Sequence, residues 1–175
     1  MRKHSAVRVN LKRVVVRPEV DDLSAYPFLY LTGMDSLDFS KQTVAALREY
    51  INGGGKLFIN NGMGLATFHQ SLMKEMKRIL PDHELKTLPP HHDLYNTLFK
   101  IKGVTYSETL LENKPELGST PNLQGITIDG DLRVVYSRYD MEAGWLDVYY
   151  PLIRGFENTS AQKLGMNLVT YLITR

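Results

Sequence analysis

Residues 50–64 read Tyr-Ile-Asn-Gly-Gly-Gly-Lys-Leu-Phe-Ile-Asn-Asn-Gly-Met-Gly, and the fold turns on how that run is parsed. Upstream, Val44, Leu47 and Ile51 share one stripe at helical spacing, which predicts a helix over 41–52 with Ser40 as its N-cap. Gly53 is expected in the left-handed position that closes such a helix. Lys56-Leu-Phe-Ile-Asn60 then reads as a strand, stopped by the Asn60-Asn61-Gly62 turn. One step further out, Pro27-Phe-Leu-Tyr-Leu31 is a compact apolar run bounded by Thr32-Gly33, which predicts a strand buried on both faces. Strand, helix and strand in this order form a right-handed crossover between parallel strands. The turn at Asn60 therefore sits at the carboxyl end of an interior strand, where open α/β sheets bind their ligands.

The bulk properties allow such a domain. At 175 residues the chain fits one domain, 1–175, with residues 1–11 as a basic tail or edge. Its 43% hydrophobic and 23% charged residues exclude disordered and fibrous classes. No apolar run approaches the roughly 18–20 residues that cross a bilayer, so no integral membrane segment is expected. The basic start lacks the apolar stretch of a signal peptide. That reading leaves two expectations open, a cytoplasmic protein or one whose leader or preceding region lies outside this sequence. With no cysteine, disulfides, thiolate metal sites and cysteine nucleophiles are excluded together.

Charge is uneven. Arg2, Lys3, Arg8, Lys12, Arg13 and Arg17 fall in the first 17 residues without any acid, so the remainder is net acidic. A basic arm can bind nucleic acid or an anionic membrane surface, but no aromatic interleaving or recognised nucleic-acid-binding motif accompanies it. A tail or edge kept soluble by Lys and Arg is the preferred reading, and no nucleic-acid partner is expected.

Along the rest of the chain, Leu11–Val16 predicts a first strand ended by Arg17-Pro18. Thr67 and Gln70 have capping-box spacing ahead of a helix 68–80 with Phe68, Leu72, Met76 and Ile79 on its apolar face. Leu85–Leu88 reads as a short strand, and Leu94–Leu98 as one helical turn opened by His91-His92-Asp93. Residues 108–122, with Pro115, Gly118 and Pro121, read as surface loop. Asp129-Gly130 between Gly125–Ile128 and Leu132–Tyr136 signals a type I′ hairpin. After an irregular 139–157, Thr159 and Gln162 suggest a second capping box, opening a closing helix through Leu164, Leu168, Tyr171 and Leu172.

Helix, triple glycine, apolar strand and tight turn together resemble the class I glutamine amidotransferase-like domains. More narrowly, Tyr26–Gly33, Phe39–Tyr50, Met73–Pro81, Ile128–Ser137 with Tyr139-Asp140 and Gly144-Trp145, and Leu164–Leu172 resemble a bacterial family, domain of unknown function 4159. The resemblance covers roughly residues 12–174. It implies a flavodoxin-like three-layer α/β sandwich, a mostly parallel sheet with a C-terminal hairpin, and an envelope-associated or secreted setting; it implies no established activity. Members often carry His where this chain has Met34, and an acidic pair where it has Asn60-Asn61. Any chemistry needing those charges is lost here.

The candidate sites follow from these residues. Amidotransferases keep a cysteine nucleophile at this turn, but the elbow here reads Gly62-Met63-Gly64, and a thioether cannot attack, so glutaminase activity is excluded. Gly53-Gly54-Gly55 precedes the strand and reads as helix punctuation, not as a phosphate cradle. The Asn60–Gly62 amides either hold an anion near the next helix start or form an ordinary turn. His91, His92 and Asp93 diverge as neighbours and lack a second ligand pair, so no metal and no cofactor are expected, and His92 is expected to cap the next turn. Asp140 with Tyr139 and Trp145 either lines a pocket for a polar ligand or anchors a loop.

The ligand-binding residues expected are Gly33, Asp35, Asn60, Asn61, Tyr139, Asp140 and Trp145. They describe a non-catalytic module that binds a small polar ligand or a partner protein, with homodimerisation compatible. The rival is a hydrolase with Asp35 or Asp140 as general base and no covalent cysteine intermediate.

Overall fold

The computed structural model describes residues 14–147 and 151–175. The basic start, residues 1–11, and the first part of the expected strand over 11–16 lie outside the described residues. Residues 14–16 are irregular, not strand. Val14 and Val15 are exposed, and the chain reverses at once because the Arg17 carbonyl accepts from the amides of Val20 and Asp21.

The elements run β1 (Leu29–Gly33), α1 (Lys41–Asn52), β2 (Leu57–Asn61), α2 (Ala66–Ile79), β3 (Lys86–Thr87), α3 (Glu108–Asn113), β4 (Leu123–Ile128), β5 (Asp131–Ser137), α4 (Glu142–Leu146) and α5 (Asn158–Thr174). The fold is mixed α/β. The sheet order is β1-β2-β5-β4-β3. β2 is parallel to both β1 and β5, while the β5–β4 and β4–β3 pairings are antiparallel. Parallel pairing thus holds over three strands and gives way at the hairpin.

β2 is interior, and all five of its residues are buried. Strand alternation divides its side chains between two cores. Leu57 and Ile59 join Val44, Leu47 and Ile51 of α1 and Phe68, Leu72 and Ile79 of α2 on one face. Phe58 points the other way, into a core built from Leu164, Leu168 and Leu172 of α5 and from Leu94, Tyr106 and Leu110. Each fully buried aliphatic or aromatic side chain contributes about 1.5–3 kcal/mol, so helices on both faces hold the sheet. β5 changes faces part-way. Ile126 pairs with Val134 but Thr127 with Leu132, so Arg133 is the extra residue of a bulge. This is why Leu132 and Val134, two apart, enter opposite cores.

Several local expectations are met. Ser40 Oγ accepts from the Thr43 amide at 3.0 Å and starts α1. Asp129 and Gly130, at φ 52° and 85°, form the positive-φ pair of the hairpin. Others are corrected. β1 is an edge strand, with Tyr30 41% exposed, and is not buried on both faces. Gly53 stays right-handed at φ −73°. Its amide still bonds the Glu49 carbonyl, so the reversal falls to Gly54 at φ 106°.

Neither capping box forms. α2 starts at Ala66 behind Leu65 and α5 at Asn158 behind Glu157, and neither preceding residue makes a side-chain cap. Asn61 sets the entry to α2 instead, its amide side chain bonding both the Leu65 amide (3.1 Å) and carbonyl (2.9 Å). Residues 108–122 are not merely surface loop: α3 and a 3-10 turn at Pro115–Leu117 bury Leu110 and Leu117.

Candidate functional site

Because β1, β2 and β5 are parallel, their carboxyl ends share one edge of the sheet. The segments leaving that edge are held together by a buried polar contact. Asn60, fully buried, donates from Nδ2 to Asp140 Oδ1 at 3.0 Å, and its Oδ1 accepts from the Met141 amide at 2.9 Å. The Asp140 carboxylate, 5% exposed, also accepts from the Glu142 amide at 2.8 Å and, through Oδ2, from the Met63 amide at 2.9 Å. Both carboxylate oxygens and both ends of the Asn60 amide are engaged. One carboxylate thereby ties the turn after β2 to the loop after β5 and to the start of α4.

The same knot extends through the main chain. The Asp140 amide bonds the Arg154 carbonyl (3.0 Å), the Phe156 amide bonds the Asp140 carbonyl (2.8 Å) and the Arg154 amide bonds the Met63 carbonyl (3.3 Å). Met63 and Gly64 carry the left-handed backbone here, at φ 57° and 65°, whereas Asn60 and Asn61 remain in the strand. The left-handed turn expected at Asn60–Gly62 therefore lies two residues further on. A Cβ on Gly64 would overlap the Arg154 carbonyl.

Beside this brace lies a partly exposed surface. Tyr30, Phe58 and Asn60 face the same way by strand parity and register, as does Thr32. The Tyr30 ring stacks on Phe58 (centroids 5.2 Å apart, planes 16° apart), and the Trp145 ring lies 6.1 Å from Tyr30 and 5.9 Å from Phe58. Glu142 Oε2 accepts from Tyr30 OH at 3.3 Å and from Thr32 Oγ1 at 3.0 Å. Burial raises the Tyr30 phenol well above its usual range, and the charges of Glu142 and Asp140 push it the same way. It therefore keeps its proton and acts as a donor. Trp145 is anchored from behind, its Nε1 donating to the Ala161 carbonyl at 2.6 Å. Gly165 leaves the space for the indole, since a Cβ there would overlap it.

Of the residues expected at the site, Asn60, Asp140 and Trp145 are brought together. The others stand apart. Asn61 faces away from Asn60 and fastens the start of α2. Tyr139 is buried against Tyr106, ring edge to face at 5.8 Å. Gly33 lies under α2, where a Cβ would come 3.0 Å from the Phe68 ring. Asp35 is exposed and makes no hydrogen bond among the described residues.

Tyr30, Thr32 and Glu142 are the members that motif reasoning missed. Strand parity with Asn60 was the available signal for the first two.

Elsewhere, His92 Nδ1 accepts from the Leu94 amide at 3.1 Å and caps the turn Asp93–Asn96. His69 stacks on Tyr136, with Nδ1 3.1 Å from its hydroxyl. Among the described residues no three His, Asp or Glu side chains converge as metal ligands, and no helix is long and apolar enough to cross a membrane. A cleft of about 680 Å³ opens at the amino ends of β1 and β2, between Tyr26, Tyr50, Glu49 and Gly54. It is at the far end of the sheet from the Asn60–Asp140 brace.

Residues 1–173 match the family described as Domain of unknown function (DUF4159), and the chain belongs to that family. No curated protein matches the chain.

Proposed function

We propose that this domain is a non-catalytic binding module whose ligand, a small polar molecule or a partner protein, docks at the carboxyl-end edge of the sheet. The observation that carries the reading is the Asn60–Asp140 brace, with the Tyr30–Trp145–Glu142 surface set directly beside it. A buried polar network that fixes three loops gives an adjoining surface the preorganisation that binding needs. We further infer a flavodoxin-like domain of the amidotransferase-like superfamily. Three parallel strands between helical layers support that placement, as does the tight turn at Gly62-Met63-Gly64 where that superfamily keeps its nucleophile.

The rival, hydrolysis with an aspartate as general base, finds less support. Asp140 is buried and spends both oxygens on three internal donors, so it is not presented to a substrate proton. Asp35 is exposed, and among the described residues no hydrogen bond or ion pair orients it.

The test is a titration of the isotopically labelled chain with a panel of sugars, amino acids and nucleotides, read by amide and indole NMR shifts. Saturable shifts grouped at Trp145, Glu142 and Met63 are expected. Shifts grouped at Tyr26, Tyr50 and Gly54 would move the site to the opposite cleft. Turnover of an ester, amide or glycoside that is lost in Asp140→Asn would establish the hydrolase.

A further inference from the structure

Resting on that placement of the site, we propose that the group recognised beside Trp145 is a weakly hydrated organic cation, a guanidinium or alkylated ammonium, held against the Tyr30 and Trp145 rings beside the Glu142 carboxylate.

Three observations carry this. The first is charge. Glu142 is partly buried, and among the described residues no Lys, Arg or His forms an ion pair with it. Two hydroxyl donors reach only its Oε2, so Oε1 takes no hydrogen bond among the described residues. The neighbouring Asp140 adds a second negative charge. A carboxylate partly withdrawn from water beside a second negative charge and without a counter-cation is an attractive place for a cation.

The second is the aromatic wall. Tyr30 is 41% exposed and Trp145 partly so, and the face of each ring attracts cations. Both rings are fixed before any ligand arrives, Tyr30 by its stack on Phe58 and Trp145 by its bond to the Ala161 carbonyl. Little ordering cost remains for binding.

The third is the small number of acceptors. Asp140 is fully engaged and the protons of the two hydroxyls are committed to Glu142, so Oε1 is the one carboxylate oxygen here that no donor among the described residues reaches. A bare ammonium loses three strong hydrogen bonds to water and recovers one or two here. A guanidinium or alkylated ammonium is more weakly hydrated and suits a surface of two rings and one carboxylate. A neutral sugar would need several donors and acceptors that this surface has already paired internally.

The probes are choline, its uncharged carbon isostere 3,3-dimethylbutan-1-ol, and methyl glucoside, titrated into the intact labelled chain. Trp145 is the sole tryptophan, so a single indole N–H resonance and the intrinsic fluorescence report the site. Choline is expected to shift that resonance saturably and to bind at least tenfold more tightly than the isostere. Glu142→Gln, which keeps the acceptor for both hydroxyls, is expected to abolish the preference while far-UV circular dichroism stays unchanged. Tyr30→Leu should weaken choline binding in the same assay.

Equal affinity for choline and the isostere overturns the cation assignment in favour of an apolar contact. Methyl glucoside shifting the indole where choline does not overturns it too, yet leaves the carboxyl-edge site standing. Silence of the indole toward all three probes overturns the assignment, and the broader panel then decides the placement of the site separately.

Discussion

Asn60 and Asp140 lie 80 residues apart in the chain, and their side chains meet in a buried hydrogen bond of 3.0 Å. The contact joins β2 to the loop after β5; Asn60 otherwise bonds the Met141 amide and Thr32 Oγ1 (3.4 Å), and Asp140 the Met63 and Glu142 amides. Removing either leaves buried groups unpaired, which costs more than the bond itself contributes. Asp140→Ala is expected to destabilise the fold by about 2–4 kcal/mol and Asn60→Ala by about 1–3 kcal/mol. In a double-mutant cycle by urea denaturation the two losses should not add, with coupling of about 1 kcal/mol or more. Additivity within about 0.3 kcal/mol would mean that the brace is not an energetic unit.

Trp145 and Gly165 form the second dependency. Any side chain at Gly165 enters the space of the indole, so Gly165→Ala should displace the ring and break its bond to the Ala161 carbonyl. Overpacking of this kind costs about 1–3 kcal/mol. Because the protein has one tryptophan, the displacement is readable as a red-shifted emission maximum in the folded state. An unchanged spectrum in a stable Gly165→Ala variant would show that the ring has room to spare.

The legible parts of this fold are those written in neighbouring residues. Ser40 with its Thr43 partner and the glycines after Asn52 bound α1 to within a residue, and Asp129-Gly130 specifies its turn alone. The first capping box misled because Thr67 has the right spacing but the wrong location: Asn61 already fixes Leu65, so α2 begins before Thr67 can act. β1 looked like a buried strand because its side chains are apolar, although its place at the sheet edge depends on strand order. At the site, Asp140 and Trp145 stood out by residue type. Tyr139 stood out equally and proved to be core, because nothing local distinguishes a ring aimed at Tyr106 from one aimed at solvent. Glu142 carried no signal until Tyr30 and Thr32 were placed opposite it.

His69 gives a pH prediction. Burial, and then the charge of Arg138, hold its imidazole below the usual range. Nδ1 lies 3.1 Å from the hydroxyl of Tyr136, whose own pKa burial raises, so the phenol keeps its proton. The neutral ring with its proton on Nε2 accepts that hydrogen bond at Nδ1, and the protonated ring cannot. A folded pKa below the unfolded value means that the unfolded state binds the proton more readily. Stability from this group is therefore complete above about pH 6.5 and is lost as pH falls through the unfolded value toward the folded one. Urea midpoints between pH 7.5 and 5.5 should fall more steeply for the native chain than for His69→Phe, which stacks on Tyr136 without titrating. Identical slopes would remove His69 as the source.

Met63 is the residue that occupies the elbow, and its backbone is left-handed at φ 57° and ψ 4°. For a residue with a Cβ that conformation costs roughly 1–2 kcal/mol. The turn keeps it because the Met63 amide is drawn to Asp140 Oδ2 and its carbonyl accepts from the Arg154 amide. Asparagine tolerates the same backbone better and leaves both hydrogen bonds in place. Met63→Asn should therefore raise stability by about 0.5–1 kcal/mol, seen as a higher urea midpoint at unchanged slope. In an Asp140→Ala background, where the elbow has lost the acceptor that holds its amide, the benefit should shrink or vanish. A stabilisation of the same size in both backgrounds would show that the elbow is shaped by its own sequence and not by Asp140. The turn would then be a feature of β2 alone, and the carboxyl-end edge would lose the cross-link that gives it a fixed shape.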